Sequence, residues 1–499
     1  LGMTKDEFET RWLTLGTESK LSGSTLSMPP VDPGKPKRAI MGEKGIGRLA
    51  IASIGSQVLI VTKSKNTGDN AKVVVAFINW GIFELPGINL EDIVIPVVEF
   101  DELPTSEEIN MITNEVISSL TFLYDRNLIS HSDYARIRTE IKSFDVNPYE
   151  LSRQLYGSYP MSSNNGGTHF YISPVYETLI SDIEGDGSSE EATKMEKMLM
   201  GFHNTMTPNH PKPVVDIAFR DYRSSDGSFV SIIDKEHFFT PNEFELADHH
   251  IQGEFDQYGQ FKGTIRIYGE KSYAHIINWR DNNYRETECG PFKINLAYLQ
   301  GELKSSRVDI ENYAMIRAKG DKFGGLYIYK DNIRVLPYGD SDYDFLDIEK
   351  NRSKRASTYF FSYRRMFGAI DITNNQNAGL VEKAGREGFI ENKAYRQLQA
   401  ILKNFFIQLA ADFFDDKKGT PQSEFYIQKK DELNTYHKAL ERRDKLAKGR
   451  KEKFAKALES FFERLAEHKF DNDINGIISN FRNQLNSVIH MVNPDDASQ

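Results

Sequence analysis

The sequence predicts a mixed α+β protein with three successive regions, and the spacing of its apolar residues carries that prediction. Residues 1–230 combine strand-like apolar runs with helical spacing, residues 240–415 show strand alternation, and residues 422–499 show coiled-coil spacing. A chain of 499 residues is long enough for about two or three domains, each with its own core. Hydrophobic residues make up 39% of the chain, so we expect packed globular domains rather than disorder.

The first region contains four predicted strands and a helical insertion. The strands are residues 58–62, 72–77, 93–99 and 169–172. Between about residues 106 and 145, apolar side chains recur every three or four positions, which predicts amphipathic helices; they are Ile109, Ile112, Val116, Leu120 and Leu123. A short helix is expected to end near Gly201, and the polar turn at 224–227 marks a boundary region.

The second region is predicted to form a sheet closed by a helix. Residues 263–268 alternate as a strand, and residues 325–330 and 333–339 form a hairpin around Asp331 and Asn332. A helix at about 392–414 follows from the apolar spacing Leu398, Leu402, Phe405, Leu409 and Phe413.

The third region is predicted to be two charged helices separated by a break at 468–473. Alternating three- and four-residue steps between apolar side chains are typical of a coiled coil, although residues 442–453 interrupt the pattern. Three arrangements remain open from the sequence: an intramolecular hairpin, a stem that joins two protomers, and helices that pack on their own domain.

Composition and charge exclude several classes of protein. The net charge of −10 argues against binding nucleic acid through bulk electrostatics, although a local basic surface remains compatible with it. A single cysteine, Cys289, excludes an intrachain disulfide framework and a multi-cysteine zinc site, which fits the cytoplasm. No apolar run approaches about 20 residues, so no membrane-spanning helix is expected.

The glycine-rich segment at 42–48 is the most informative motif. Gly42, Gly45 and Gly47 let successive backbone N–H groups turn toward one point because no Cβ obstructs them. An apolar helix is predicted directly behind them, at 49–54, and a helix N-terminus favours bound anions. The segment is therefore suited to holding phosphate groups.

Four landmarks in this order resemble those of the GHKL ATPases, which include the gyrase B subunit, the heat-shock-ninety chaperone, the MutL proteins and the microrchidia ATPases. Gly2-Met3 resembles the end of the family's Asp-x-Gly-x-Gly box, and residues 16–41, rich in Gly, Ser and Pro, resemble its ATP lid. Residues 42–47 resemble its phosphate loop, and Gly167-Thr168 resembles its late Gly-Thr pair.

The resemblance implies a Bergerat-type α/β sandwich that binds ATP and Mg²⁺, followed by a transducer-type α/β domain. The implied nucleotide contacts are Gly2, Met3, Gly16, Thr17, Lys20, Gly42, Lys44, Gly45, Ile46, Gly47, Arg48 and Thr168. Backbone N–H groups of residues 45–48 would face the phosphates, and the Thr168 hydroxyl would lie near adenine. Lys20, Lys44 and Arg48 are equally interpretable as solvated surface charges, and Thr168 as an ordinary strand residue.

The family's catalytic Glu, Mg-binding Asn and adenine-binding Asp would all precede Leu1. We therefore expect a further N-terminal segment, and no residue of this chain is assigned as a metal ligand.

A second cationic motif lies in the transducer-like region. Lys383 and Arg386 resemble the family's Lys or Arg that reaches the γ-phosphate, where a fixed cation forms charge-assisted hydrogen bonds. Either residue is alternatively a surface charge.

The basic, aromatic stretch at 352–365 has two interpretations. Interleaved cations and rings can bind nucleic acid by backbone contact and stacking, and a half-buried strand of the transducer domain explains the same residues.

The resemblance implies an ATP-hydrolysing conformational switch whose two ATPase domains dimerise around ATP. The implied partners are a second protomer, and DNA or an effector protein; a role in anti-phage defence is compatible with it. An Hsp90-like chaperone and a nucleotide-gated scaffold without hydrolysis remain alternatives. A histidine kinase is disfavoured, because kinases place this fold after a phosphoacceptor helix.

Overall fold

The computed structural model describes residues 2–14, 47–65, 71–155, 161, 166–185, 191–213, 215–223, 228–233, 238–281, 283, 285–354, 359–383, 387–415, 419–466, 476 and 479–486. Within these residues the protein is mixed α+β, as the sequence predicts. The chain divides into two compact units: residues 1–197 with 214–216, and residues 198–213 with 217–499. The predicted boundary turn at 224–227 lies outside the described residues.

The first unit is built on a four-stranded antiparallel sheet with the strand order β3-β2-β1-β4. The strands are β1 (Gln57–Lys63), β2 (Val73–Asn79), β3 (Val97–Phe100) and β4 (Gly167–Ile172). Three of the four predicted strands are confirmed with small shifts in their ends. The strand predicted at 93–99 begins only at Val97, because Pro96 has no backbone N–H to donate to a ladder.

Six α-helices lie between residues 5 and 199. They are α1 (Lys5–Glu7), which continues as a π-helix (Phe8–Trp12), α2 (Ser106–Asp125), α3 (His131–Lys142), α4 (Pro148–Leu155), α5 (Glu177–Glu184) and α6 (Lys194–Leu199). The predicted helix before Gly201 is confirmed as α6. Three 3₁₀ helices accompany them, at Gly47–Ser53, Trp80–Ile82 and Leu90–Asp92.

The two faces of the four-stranded sheet are covered by different segments. One face packs against α2 and α3, and all five apolar positions predicted for the insertion are buried there. A capping box between Thr105 and Glu108 fixes the start of α2 by satisfying otherwise unpaired backbone N–H groups. The opposite face is covered by buried Phe8 and by half-buried Met3, Trp12 and Ile51.

The second unit contains a seven-stranded sheet with the strand order β12-β11-β13-β10-β7-β8-β9, and a separate two-stranded ribbon. The ribbon is β5 (Arg220–Asp221) with β6 (Val230–Ser231). The sheet consists of β7 (His249–Phe255), β8 (Phe261–Ile267), β9 (Lys271–Ile277), β10 (Phe292–Tyr298), β11 (Gly325–Lys330), β12 (Ile333–Arg334) and β13 (Met366–Ile372). β11 and β13 are parallel, and every other pair in the sheet is antiparallel.

The predicted hairpin is confirmed as β11 and β12. Asp331 and Asn332 have φ values of 49° and 66°, the positive values that a tight two-residue hairpin turn requires. The second strand is shorter than predicted and ends at Arg334.

Among the described residues, five α-helices accompany the larger sheet. They are α7 (Pro241–Leu246), α8 (Ile310–Phe323), α9 (Ile348–Lys354), α10 (Lys393–Phe413) and α11 (Glu424–Ala466). α10 confirms the predicted closing helix, and its five predicted apolar positions are fully buried. The predicted second helix of the C-terminal region is described only at residues 476 and 479–486, which are helical. Its pairing with α11, and a coiled coil between protomers, stay predictions.

α10 lies across the strands rather than along them. Its first turn places Tyr395 with a ring centroid 6.1 Å from that of Tyr338, just beyond β12. Its middle places Phe405 4.7 Å from Phe261 on β8, and its end places Asp412 2.9 Å from His275 on β9. One helix therefore closes one face of the whole sheet.

The strand interpretation of residues 352–365 is wrong for the described part of that stretch. α9 continues to Lys354, Tyr363–Arg365 form a 3₁₀ helix, and β13 begins at Met366. Phe361 and Tyr363 are buried in the core, so their rings do not face solvent for stacking on bases.

None of the helices within the described residues is both long enough and apolar enough to cross a bilayer.

Phe405→Ala is expected to destabilise the second unit by about 3–5 kcal/mol, because it removes a buried ring and leaves a cavity. Hydrogen exchange of the α10, β7 and β8 amides, followed by mass spectrometry, measures this free energy. The exposed Arg396→Ala on the same helix is the control and should change stability by less than about 0.5 kcal/mol. Equal protection in the two variants would contradict the assignment of α10 as the closing helix.

Candidate functional site

The described landmarks of the predicted nucleotide site lie on one face of the four-stranded sheet. Met3 and Ile51 both pack against the core formed by Val58 and Ile60 of β1. Thr168 of β4 pairs in register with Thr62 of β1, two positions beyond Ile60 on the same face. The opposite face packs against α2 and α3.

Gly2 closes the N-terminal segment against the ends of β1 and β4. Its φ is +70°, and a Cβ on this residue would lie 1.7 Å from the Lys63 carbonyl oxygen and 2.8 Å from that of Gly167. No side chain fits at that distance from two backbone oxygens. The position therefore requires glycine, and it brings Gly2-Met3 to the Gly167-Thr168 pair.

The Thr62 hydroxyl joins these segments, and sequence reasoning missed it. The Met3 N–H donates to Thr62 Oγ1 at 3.0 Å, and the same atom lies 2.8 Å from Thr168 Oγ1 and 3.1 Å from the Gly167 carbonyl oxygen. Thr62 has no accessible surface, so these contacts satisfy a hydroxyl that water does not reach. A threonine within a valine-rich strand carries no motif that predicts this role.

The single hydrogen of Thr62 allows two arrangements of this cluster. If Thr62 donates to the Gly167 carbonyl, Thr168 donates to Thr62 and keeps lone pairs that accept from a ligand. If Thr62 donates to Thr168, the Thr168 hydrogen is free to be donated outward. Thr168 can therefore either donate or accept a hydrogen bond at the same point of the sheet.

The segment after the glycine loop forms a 3₁₀ helix, Gly47–Ser53, where the sequence predicts a regular apolar helix at 49–54. The segment ends at Gly55, which forms an isolated bridge with Val175. Leu49 is exposed, and Ile51 supplies the contact to the sheet. The backbone that leaves the glycine loop is thereby held on the same face as Met3.

Several predicted site residues lie outside the described residues: Gly16, Thr17, Lys20, Gly42, Lys44, Gly45, Ile46 and Arg386. Gly47 and the backbone of Arg48 begin the 3₁₀ helix. Contacts of the lid and the phosphate loop with a nucleotide stay predictions.

Lys383 lies in the second unit, and a hydrogen bond fixes its backbone. Its N–H donates to the Gly388 carbonyl oxygen at 2.9 Å, and the neighbouring Glu382 forms a bridge with Phe389. Glu382 also pairs with Lys330 at 3.6 Å. The Lys383 residue itself is exposed, so it presents a cation on an anchored backbone.

His169 does not belong to this site although it neighbours Thr168. Successive side chains of a strand point to opposite faces, and its Nδ1 lies 3.2 Å from the hydroxyl of Tyr171, which packs on the α2–α3 side. Burial lowers the pKa of this imidazole, so His169 is neutral at pH 7.

No protein-family model matches this chain, and no curated protein matches its sequence. Within the described residues, no group of three or more His, Cys, Asp or Glu side chains is arranged to hold a metal ion.

Thr62→Val is expected to loosen the N-terminal segment, because it leaves the Met3 N–H without its acceptor at a cost of about 1–3 kcal/mol. Hydrogen exchange of the amides at 3–12 should accelerate, while α2 and α3 keep their protection. Thr62→Ser keeps the hydroxyl and is the matched control. Unchanged exchange in Thr62→Val would show that the hydroxyl does not hold this segment.

Proposed function

We propose that the protein is an ATP-binding and ATP-hydrolysing conformational switch of the GHKL class. One observation carries the proposal: Gly2-Met3 and Gly167-Thr168 meet at Thr62, on the sheet face that also receives the segment following the glycine loop. Two motifs that are far apart in the chain, and that the resemblance assigns to one nucleotide, meet on one face with the segment that follows the glycine loop.

Each part of the site has a proposed contact with ATP. Backbone N–H groups of residues 45–48 hold the phosphates, because glycines allow close approach. The Thr168 hydroxyl, positioned by Thr62, hydrogen-bonds on the adenine side. When bound, Mg²⁺ would neutralise phosphate charge.

The proposed switch couples ATP to the second unit. Lys383 or Arg386 contacts the γ-phosphate and reports whether a triphosphate is present. Residues 16–41 close over ATP as a lid, and this closure commits the bound ATP to reaction, as active-site lids commonly do. Two ATPase domains then associate, and the output is exerted on DNA or on an effector protein.

Gly47→Val is expected to weaken ATP binding at least about tenfold. A β-branched side chain keeps the phosphate from the backbone, and one lost hydrogen bond to a charged group is worth about 1.5–3 kcal/mol. Isothermal titration of the intact protein with Mg-ATP measures the affinity. Gly449→Val is the control, since a Cβ at Gly449 meets open space. Equal affinities in the two variants would exclude phosphate binding at this loop.

The double variant Lys383→Ala/Arg386→Ala is expected to keep its ADP affinity and to lose ATP turnover by about tenfold or more, because only the triphosphate presents the charge that these cations would meet. Titration with ADP and a phosphate-release assay measure the two effects. Lys393→Ala removes an exposed cation from the neighbouring helix and should change neither. Normal turnover in the double variant would make both residues ordinary surface charges.

A further inference from the structure

On the face of the seven-stranded sheet opposite α10, Phe238, Phe239 and Phe244 cover β11 and part of β13. The rest of this face, over β10, β7, β8 and the end of β13, carries a row of alternating charges. Asp371 on β13 lies directly opposite Lys293 on β10, Lys293 lies opposite Glu254 on β7, and Glu254 lies opposite Lys262 on β8. Their strand neighbours, such as Ile370, Ile294 and Phe255, point to the other face, into the core under α10. We call the four charged residues the charged row.

The members of the charged row are in register but do not neutralise one another. Within the described residues, no ion pair joins any two of them. Lys293, Glu254 and Lys262 are exposed, and Asp371 is half-buried. Burial raises the pKa of the Asp371 carboxyl to about 6, and Lys293 offsets this in part. Side chains of opposite sign are thus held at regular spacing without satisfying each other.

The charged row forms part of the floor of a cavity of about 670 Å³. A second row of side chains lies beside the charged row on β10, β7 and β8. Its members are neutral and polar: Asn295, Gln252 and Thr264. Residues 204–211 form the wall. Among the described residues that line the cavity, the only rings are the imidazoles of His210 and His275, and no Phe, Tyr or Trp side chain is present to stack on a base. Its two lysines are matched by two carboxylates, which disfavours a polyanion and favours a protein surface of mixed charge.

The spacing of the charged row selects a helix over a strand as the occupant. Four neighbouring strands place its first and last members about 14 Å apart. Four charges on successive turns of a helix span about 16 Å, because the last lies eleven positions after the first. Four same-face residues of an extended strand span about 20 Å, well beyond the row. α10 already crosses the opposite face of this sheet in the orientation that such a helix would need.

α11 carries the complementary series of charges. Lys448, Glu452, Lys456 and Glu459 follow one another at spacings of four, four and three residues, and all four are exposed. At about 100° per residue they fall within about 80° of one another. The apolar side chains Ala447, Phe454 and Leu458 lie roughly 135° away, so the charged stripe is free for a separate contact.

We propose that a second copy of this chain lays residues 448–459 of its α11 across the charged row. Lys448 then faces Asp371, Glu452 faces Lys293, Lys456 faces Glu254, and Glu459 faces Lys262. The reverse direction pairs like charges, so the order of signs sets the direction of the helix.

The start of α11 is anchored on its own sheet, and its distal part is available to a partner. Tyr426 stacks on Tyr268 at 5.8 Å, and Lys429 pairs with Glu270 at 2.9 Å. From residue 441 to residue 448 every side chain is exposed. Two copies related by a twofold axis each give one helix and receive one, which doubles the number of ion pairs in a closed dimer.

Charge reversal tests the contact in the intact protein without nucleotide. Self-association measured by sedimentation equilibrium should weaken as the salt concentration rises. Added salt shortens the Debye length, which is about 8 Å at physiological ionic strength, and so weakens the attraction between exposed charges. K293E alone and E452K alone should each weaken it at least about tenfold, and the double variant K293E/E452K should recover much of the loss. Arg450→Glu is the control, because Arg450 lies about 165° around α11 from the centre of the stripe, and it should have little effect.

Cross-linking tests the register directly. Protein carrying K293C is mixed with protein carrying E452C and treated with a short bismaleimide. The only native cysteine, Cys289, is buried, and burial raises the pKa of its thiol to about 11, so it should not react. A heterodimer is expected from this pair, and much less from K293C mixed with R450C, because Arg450 lies on the opposite side of α11.

Three results would overturn the proposal: a monomer at every concentration without nucleotide, a dimer indifferent to both single reversals, or no recovery in the double variant. A dimer that forms only with a non-hydrolysable ATP analogue would reject this contact and leave the proposed ATP switch standing. A monomer whose cavity captures a different helical protein would likewise reject the second copy as occupant.

Discussion

Burial of both faces of β1 and β2 is the constraint on which the first unit depends. The two strands are almost continuous apolar runs, and nearly every side chain on them is inaccessible to solvent. A sheet with two apolar faces needs two covers, because exposed apolar area costs about 25 cal/mol per Å². α2 and α3 supply one cover. The N-terminal helical segment and the Gly47–Ser53 helix supply the other.

The candidate site follows from that second cover. Segments recruited to bury Val58 and Ile60 bring Met3 and the residues after the glycine loop onto one face. The buried Thr62 hydroxyl at the end of the same face then needs hydrogen-bond partners. It finds them in the backbone N–H of Met3 and the backbone carbonyl of Gly167. The hydrogen bonds that stabilise the sheet edge thus also orient the Thr168 hydroxyl.

The second unit meets a different constraint, since only one face of its sheet is apolar throughout. The other face is apolar and covered over β11 and part of β13, and polar over β10, β7 and β8. α10 closes the apolar face with a stripe of fully buried side chains. The polar face keeps its charges in register because the hydrogen-bonded ladders of β13, β10, β7 and β8 leave no freedom to shift them. Charges held in this fixed order attract one another across the strands, and they also match a helix that carries the opposite order.

Local patterns made much of the fold predictable. The helices of the insertion, α10, the β11–β12 hairpin and three strands of the first sheet follow from residues within a few turns or positions of each other. Where the prediction was wrong, another constraint outweighed the local pattern. Pro96 shortened β3. Phe361 and Tyr363 are buried in the core, although their stretch has the composition of a strand. The glycine motifs predicted which segments belong to one site, and Gly2 is explained by a contact that admits no side chain.

The amino-acid sequence by itself determined the α+β class, the amphipathic helices and the identity of the candidate site motifs. Hydrophobic periodicity and glycine content are properties of short stretches of neighbouring residues, so they can be read without the tertiary structure. Only the tertiary structure decided that Thr62 joins Met3 to Thr168, since that hydroxyl meets partners 59 and 106 positions away. The same holds for the charged row, whose four members become neighbours only through the strand order of the sheet. Long-range pairing registers depend on the packing of the whole unit, and no short stretch of sequence contains them.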